Sequence, residues 1–337
     1  MKSLAKLLSS ATLVVASSGL AQAQTPVKFV MDWAFEGAQS IWTIADQKSC
    51  FSNKGLKVTI DRGFGSGDAI SKVASGAYDV GVADFSSIIA YNAAHPDQKL
   101  IATFVISDRS PTSVVTLKKN GITTPKQLEG KRIADALGEA SRVLFPVFAQ
   151  KNDIDTTKIN WVNVTPNLRQ ASLLQGQADA AAGHVFTVLL GLRALGVKDD
   201  EIQLMPYANY GVDLLGNSIM TKPQWAASHK KEMQDFISCA ITGIKASIAE
   251  PDAAITSLKK FNSMADDKIE IEGLKFSTTF AILTPHVKAE GLSQIDPERL
   301  KTMLPQIAKA IDIPAPAPEE IWTDAYLPPK AERMFTP

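Results

Sequence analysis

Ala74-Ser75-Gly76-Ala77-Tyr78-Asp79-Val80-Gly81-Val82-Ala83-Asp84 recurs one hundred residues downstream as Leu174-Gln175-Gly176-Gln177-Ala178-Asp179-Ala180-Ala181-Ala182-Gly183-His184. In each copy a helix of mixed polarity stops at a glycine, which enters the left-handed conformation without a Cβ penalty. A short turn containing Asp follows, then a run of small apolar residues that suits a strand buried on both faces. Each run ends on a polar side chain, Asp84 or His184. In open α/β sheets ligands sit beyond the carboxyl ends of strands. Two such sheets facing each other would enclose a cleft.

The repeat continues upstream. Val27 to Asp32 reads as a strand followed by a helix over Phe35 to Gln47, and Lys131 to Asp135 followed by Ala140 to Gln150 has the same shape. Second strands are expected at Lys57–Asp61 and Ile159–Val164, with helices near Gly67–Ser75 and Asn167–Gln175. Both halves therefore read β-α-β-α-β, an α/β class with parallel strands covered by helices. The β-rich runs Ser113–Leu117 and Val212–Met220 are expected to be strands crossing between the halves. That divides the chain into a discontinuous domain I (24–115 and 218–337) and a domain II (116–217). Two crossovers supply a mechanical basis for hinge closure. The proline-alternating stretch Ile311–Pro318 is expected to be extended, with Ile321-Trp322 and Tyr326-Leu327 anchoring the tail.

Composition narrows the function. The 337 residues are 45% hydrophobic and 21% charged, enough to bury two ordinary cores. Basic and acidic residues balance at 35 each, so no basic field points to nucleic acid. Residues 1–23 read as a secretory signal peptide: Lys2 and Lys6, an apolar Leu7–Leu20, then Ala21-Gln22-Ala23 before Gln24. Its removal leaves 33 basic against 35 acidic residues. The mature protein is expected to be periplasmic, soluble and not lipidated, since no Cys sits at the cleavage site. Cys50 and Cys239 can pair in an oxidising compartment. Cys239 reads equally well as a buried apolar residue of a long helix, and the sequence leaves the pairing open.

A family resemblance emerges from Met31-Asp32-Trp33, Ala45 to Phe51, Gly55-Leu56-Lys57-Val58, Gly65-Ser66-Gly67 and Ala74 to Gly81. With the linker Ile122 to Lys131, these segments resemble the SsuA/ThiY-like solute-binding proteins of ABC importers, of the thiamine-pyrimidine-precursor-binding superfamily. One departure is Ser49-Cys50-Phe51, where the family often has Gly-Tyr-Phe. The resemblance implies two lobes of the periplasmic-binding-protein type II kind, a small-molecule ligand, an inner-membrane permease as partner, and a monomer. It offers sulfonates, formylated pyrimidines, riboflavin-like heterocycles and aromatic carboxylates as ligands.

Strand ends nominate the ligand-binding residues. Trp33, Phe35 and Glu36 follow the first strand, and Phe64, Gly65, Ser66 and Gly67 the second. Asp84, Phe85 and Ser86 follow the third, and Arg109 a fourth. From domain II come Glu139, Ser141 and Arg142, then Asn167 and Arg169, then His184, with Tyr210 before the second crossover. Glycines and free N–H groups at helix openings favour an anionic group. The aromatic set supplies flat walls, and a guanidinium fork suits a carboxylate or sulfonate. The expected ligand is therefore a planar, aromatic or heteroaromatic acid.

Other chemistries fare worse. Gly63-Phe64-Gly65-Ser66-Gly67 imitates a dinucleotide fingerprint, but the third glycine would fall at Asp68. There is no CxxC, HExxH or Gly-x-Ser-x-Gly, and no catalytic residue, cofactor or metal is expected. The competing readings are a thiamine-pyrimidine-synthesis enzyme of the same fold, which would need a cysteine-rich motif, and a ligand sensor.

Overall fold

The recurring Gly-x-x-Asp turn is built the same way twice. Gly76 and Gly176 hold φ of 81° and 70°, ending their helices left-handed. Asp79 then clips the neighbouring strand: its N–H donates to Lys28 O at 2.9 Å, and its carboxylate accepts from Lys28 N at 2.8 Å. Asp179 makes the same pair with Arg132, at 2.8 and 2.9 Å. A threonine completes each turn, Thr221 Oγ1 donating to Asp79 O at 2.7 Å and Thr116 Oγ1 to Asp179 O at 2.6 Å. The motif thus aligns three strands in each half.

This computed structural model describes residues 23–335, so the leader read over 1–23 lies outside the described residues except for Ala23. Among the described residues ten strands form two five-stranded sheets. The first contains β1 (Thr25–Val30), β2 (Leu56–Asp61), β3 (Val80–Asp84), β4 (Ile101–Val105) and β10 (Asn217–Thr221), in the order β2-β1-β3-β10-β4. The second contains β5 (Thr112–Leu117), β6 (Arg132–Asp135), β7 (Asn160–Asn163), β8 (Ala180–His184) and β9 (Ile202–Pro206), in the order β7-β6-β8-β5-β9. The two orders are equivalent strand for strand. In each sheet the β-α-β-α-β strands are parallel. The strand entered after a crossing, β5 or β10, is antiparallel to both neighbours. The chain crosses between sheets through residues 106–111 and 207–216.

Boundaries moved where local chemistry intervened. Gly37–Gln39 form a 3-10 turn, with Glu36 as its extended cap, before helix Ser40–Gln47, rather than a helix from Phe35. The helix expected over Ala140–Gln150 breaks at Leu144 into Ala140–Val143 and Phe145–Lys151, with Pro146 opening the second piece. Ser49, where the resembling pattern carries Gly, adopts φ 57° and ψ 24°, a conformation glycine enters without strain.

Most of the chain beyond β10 builds onto the first lobe. Helix Lys230–Ala249 packs its Phe236 against Phe29 and Trp42. Cys239, on the same buried face, is bonded to Cys50 with the Cα atoms 5.6 Å apart, which settles the pairing the sequence left open. Ile321 is buried, and Trp322 forms a bridge with Ala102, so the tail is anchored where expected. Helix Asp267–Ser277 reaches the other lobe, where Phe276 meets Phe186 edge-on and Glu272 pairs with Arg193. Among the described residues no helix is long and apolar enough to cross a membrane.

Candidate functional site

The carboxyl ends of the parallel strands in both sheets meet along one seam. There the lobes are in contact. The carboxylate of Glu139 fills the space a side chain at Gly65 would need, and a Cβ at Gly67 would lie 3.2 Å from Gly138 O. Gly65 holds φ 105° at the cap of helix Ser66–Ala74. This conformation disfavours side chains and lets the other lobe approach the backbone.

Two connected spaces occupy the seam. The inner one, about 20 Å³, is bounded by Asp32, Ser66, Glu139, Arg169 and His184. It shares Trp33 and Thr187 with an outer chamber of about 510 Å³. Glu36, Glu270 and Arg62 bound the chamber on the first-lobe side, and Asn167, Gln170 and Phe186 on the second. That volume suits a small organic solute.

The electrostatics are dominated by carboxyl groups out of water. Burial pushes Glu36 up to about 7, against the pull of the Trp33 Nε1–H, which donates to its Oε1 at 2.9 Å. Burial likewise raises Glu139 to about 7, opposed by the nearby Arg169. Asp135 is raised to about 6 by burial, opposed first by Arg169. Asp32 is raised by burial, although Asn217 Nδ2 donates to it at 2.6 Å. Burial, and then the neighbouring Arg169, lowers His184 to about 4, so its imidazole is neutral at pH 7.

Arg169 holds the second-lobe wall together. Only 2% exposed, it donates from Nε to Pro166 O at 2.9 Å and from Nη1 to Ala182 O at 2.6 Å. Nη1 lies 3.5 Å from Asp135, Nη2 lies 3.9 Å from Glu139, and the guanidinium stands 5.2 Å from the centre of the Trp33 ring. One buried cation therefore offsets two buried carboxyl groups.

Of the residues expected at the site, Trp33, Glu36, Ser66, Glu139, Asn167, Arg169 and His184 line the seam, and Gly67 touches the opposite lobe. The others are placed elsewhere. Phe35 stacks on Phe261, and Phe85 is fully buried in the core. Asp84 caps helix Phe85–Ala94, accepting from Ser86 N at 3.0 Å, and the Ser86 hydroxyl is bound to the same carboxylate. Burial raises that carboxyl to about 6. Ser141 donates to Asp135 at 2.6 Å. Arg142 lies over the Trp161 ring and donates to Asn163. Arg109 stacks on Phe280, and Tyr210 packs edge-on against Phe148. Phe64 is 55% exposed beneath Arg62, outside the chamber. Position after a strand does not by itself turn a side chain inward. The core or a nearby partner took up most of these side chains.

The fold and the seam invite comparison with known proteins, and a family model described as NMT1/THI5 like matches residues 40–254, well over half of the chain. The chain belongs to the NMT1/THI5-like family. The matched segment covers the whole second sheet, both connectors and every strand of the first sheet except β1. Solved structures share the family member's fold. A Bordetella bronchiseptica RB50 protein is 20% identical with TM-score 0.73, over 90% of this chain and 96% of that one. The alkanesulfonate-binding protein SsuA from Xanthomonas axonopodis pv. citri, bound to MOPS, is 17% identical with TM-score 0.68, over 90% and 98%. The periplasmic aliphatic sulphonate binding protein SsuA from Escherichia coli is 14% identical with TM-score 0.65, over 93% and 92%. No curated protein sequence matches significantly.

Within this NMT1/THI5-like chain, several seam residues escaped the sequence reading. Asp32 was read as the end of a strand, and Gln170 sits beside the nominated Arg169. Phe186 and Thr187 lie in the first turn of the helix after His184, positions equivalent to the nominated Ser86 and its neighbour Ser87. Glu270 comes from helix Asp267–Ser277, far along the chain, and carries no local signal.

Proposed function

We propose that this chain is the solute-binding component of an ABC importer, acting in the periplasm as a monomer. It captures one small planar solute between its lobes and delivers it to an inner-membrane permease. The observation that carries this reading is the 510 Å³ chamber in the seam between two equivalent lobes joined by two connectors. A solute touching Trp33 and Glu36 on one side and Asn167 and Gln170 on the other gains its full contact only when both lobes engage. Binding energy is then spent on closure, which is a population shift toward the form a permease would recognise. The SsuA proteins of the same fold, one of them holding MOPS, support solute capture as the use of such a seam.

Binding rather than turnover is favoured by the chemistry available. Cys50 and Cys239 are consumed by their bridge, so no thiol remains among the described residues. Neither arginine expected to hold an acidic ligand is free to do so. Arg142 lies on Trp161, and Arg169 is committed to Asp135, Glu139 and two carbonyls. Calorimetric titration with a panel of planar anions, cations and neutral heterocycles tests the proposal, with mass spectrometry of the recovered solute. We expect one class to bind at 1:1 and return unaltered. A chemically changed product, or no binding by any class, would refute it.

A further inference from the structure

We infer that the seam is built for a solute carrying a cationic N–H donor group, an ammonium, amidinium or guanidinium, with Glu36 and Glu270 as its counter-charges. The inference rests on the solute-binding reading and names the chemistry of that same site.

The two carboxylates stand on the first-lobe wall of the chamber. Each has one oxygen engaged by the protein. Glu36 Oε1 accepts from Trp33 Nε1, and Glu270 Oε2 accepts from the Gly37 N–H. Glu36 Oε2 and Glu270 Oε1 have no donor among the described residues, and neither carboxylate forms an ion pair there.

Deeper in the seam the unpaired atoms are again acceptors. Glu139, 8% exposed, has no hydrogen bond to its carboxylate among the described residues, and Arg169 Nη2 is 3.9 Å away. Gln39 and Asn217, 5% and 9% exposed, turn their amide nitrogens onto Asp32. That leaves Gln39 Oε1 and Asn217 Oδ1 buried without a donor. These two residues border a space of about 30 Å³ that shares Ala38 and Phe186 with the chamber. Unpaired buried acceptors are costly, and a native structure keeps them where something donates to them.

The cations near the seam do not alter this balance. Arg169 is fixed by two carbonyls and by Asp135, and Arg62 lies at the exposed mouth over Phe64. Among the described residues Arg169 is the one cation that acts on Glu36, and Glu270 and Asp32 add negative charge against it there, as Asp266 does for Glu270. An anion would enter among unpaired carboxylates, whereas a cation would form charge-assisted hydrogen bonds with them. The Trp33 face beside them suits a flat cation.

The test uses three probes of nearly equal shape, benzamidine, benzoate and benzenesulfonate, titrated into the full mature protein while tryptophan fluorescence and melting temperature are followed. Benzamidine is expected to bind at least tenfold more tightly than either anion. The double variant Glu36→Gln with Glu270→Gln keeps the acceptors for Trp33 and Gly37, and should lose that preference. A matching circular-dichroism spectrum and melting transition for the variant would confirm that it folds. An anion binding as tightly as benzamidine, or unchanged benzamidine affinity in the double variant, overturns the assignment and leaves solute capture standing. Absence of benzamidine binding, when another planar solute closes the lobes, also overturns it. If no solute of any charge binds, the solute-binding reading itself fails.

Discussion

The Glu139 carboxylate of one lobe occupies the position that a side chain on Gly65 of the other lobe would take. This contact makes the closed arrangement depend on a missing Cβ. Gly65→Ala also forces alanine to φ 105°, so part of its cost falls on the first lobe alone. The variant is expected to bind solute at least tenfold more weakly. Shortening the opposing chain with Glu139→Ala in the same protein should restore part of the loss, and binding in the single and double variants measures that coupling.

Arg169 is the cation on which two buried carboxyl groups rely. Arg169→Met keeps the stem but strands Asp135 and Glu139, and removing one member of a buried ion pair typically costs about 3–5 kcal/mol. Urea unfolding should show a loss of that order. A loss below about 1 kcal/mol would mean that the two acids are neutral in the folded protein.

Acid groups in the seam give an unusual pH dependence. Glu36 and Glu139 are raised from 4.5 to about 7, so the folded protein holds their protons more tightly than the unfolded chain does. Their contribution is full below about pH 4.5 and is lost as pH rises through about 7. His184, lowered from 6.5 to about 4, acts in the opposite sense: its contribution is present above about pH 6.5 and is lost as pH falls toward 4. The two effects oppose each other below pH 6.5, so the carboxyl groups act alone above it. Melting temperature is expected to fall between pH 6.5 and 8. Glu139→Gln should flatten the fall and raise stability at pH 8 by roughly 1–3 kcal/mol. A flat wild-type profile would contradict these assignments.

The Cys50–Cys239 bond closes a loop across 189 residues of sequence. Restricting so long a loop in the unfolded chain is worth about 3–5 kcal/mol. Cys50→Ser with Cys239→Ser should lower the denaturation midpoint accordingly. Solute affinity should be preserved, because the bond lies in the first lobe away from the seam residues.

The architecture was legible because the repeated turn is local chemistry. Gly76 and Gly176 must bend the chain, Asp79 and Asp179 must clip a strand, and small residues must fill a strand buried on both faces. The seam was legible where a residue following a strand stayed at the lobe contact, as with Trp33, Glu139, Arg169 and His184. Ser86 was taken up by the local cap on Asp84, whereas Arg142 found Trp161 and Phe85 the core, which depend on side chains distant in sequence and on the packing of a whole lobe. Glu270 reaches the chamber because a helix appended after β10 spans the seam, and no strand-end rule reaches it. The open question about the cysteines was likewise one of three-dimensional distance.

Small-angle X-ray scattering through a solute titration addresses capture by lobe closure most directly. The radius of gyration should fall along the same saturation curve as binding in the wild type, while Gly65→Ala should remain extended at equal solute concentration. A wild-type protein that binds its solute with no change in dimensions, or with the solute bound outside the Trp33–Glu36 chamber, would contradict the account.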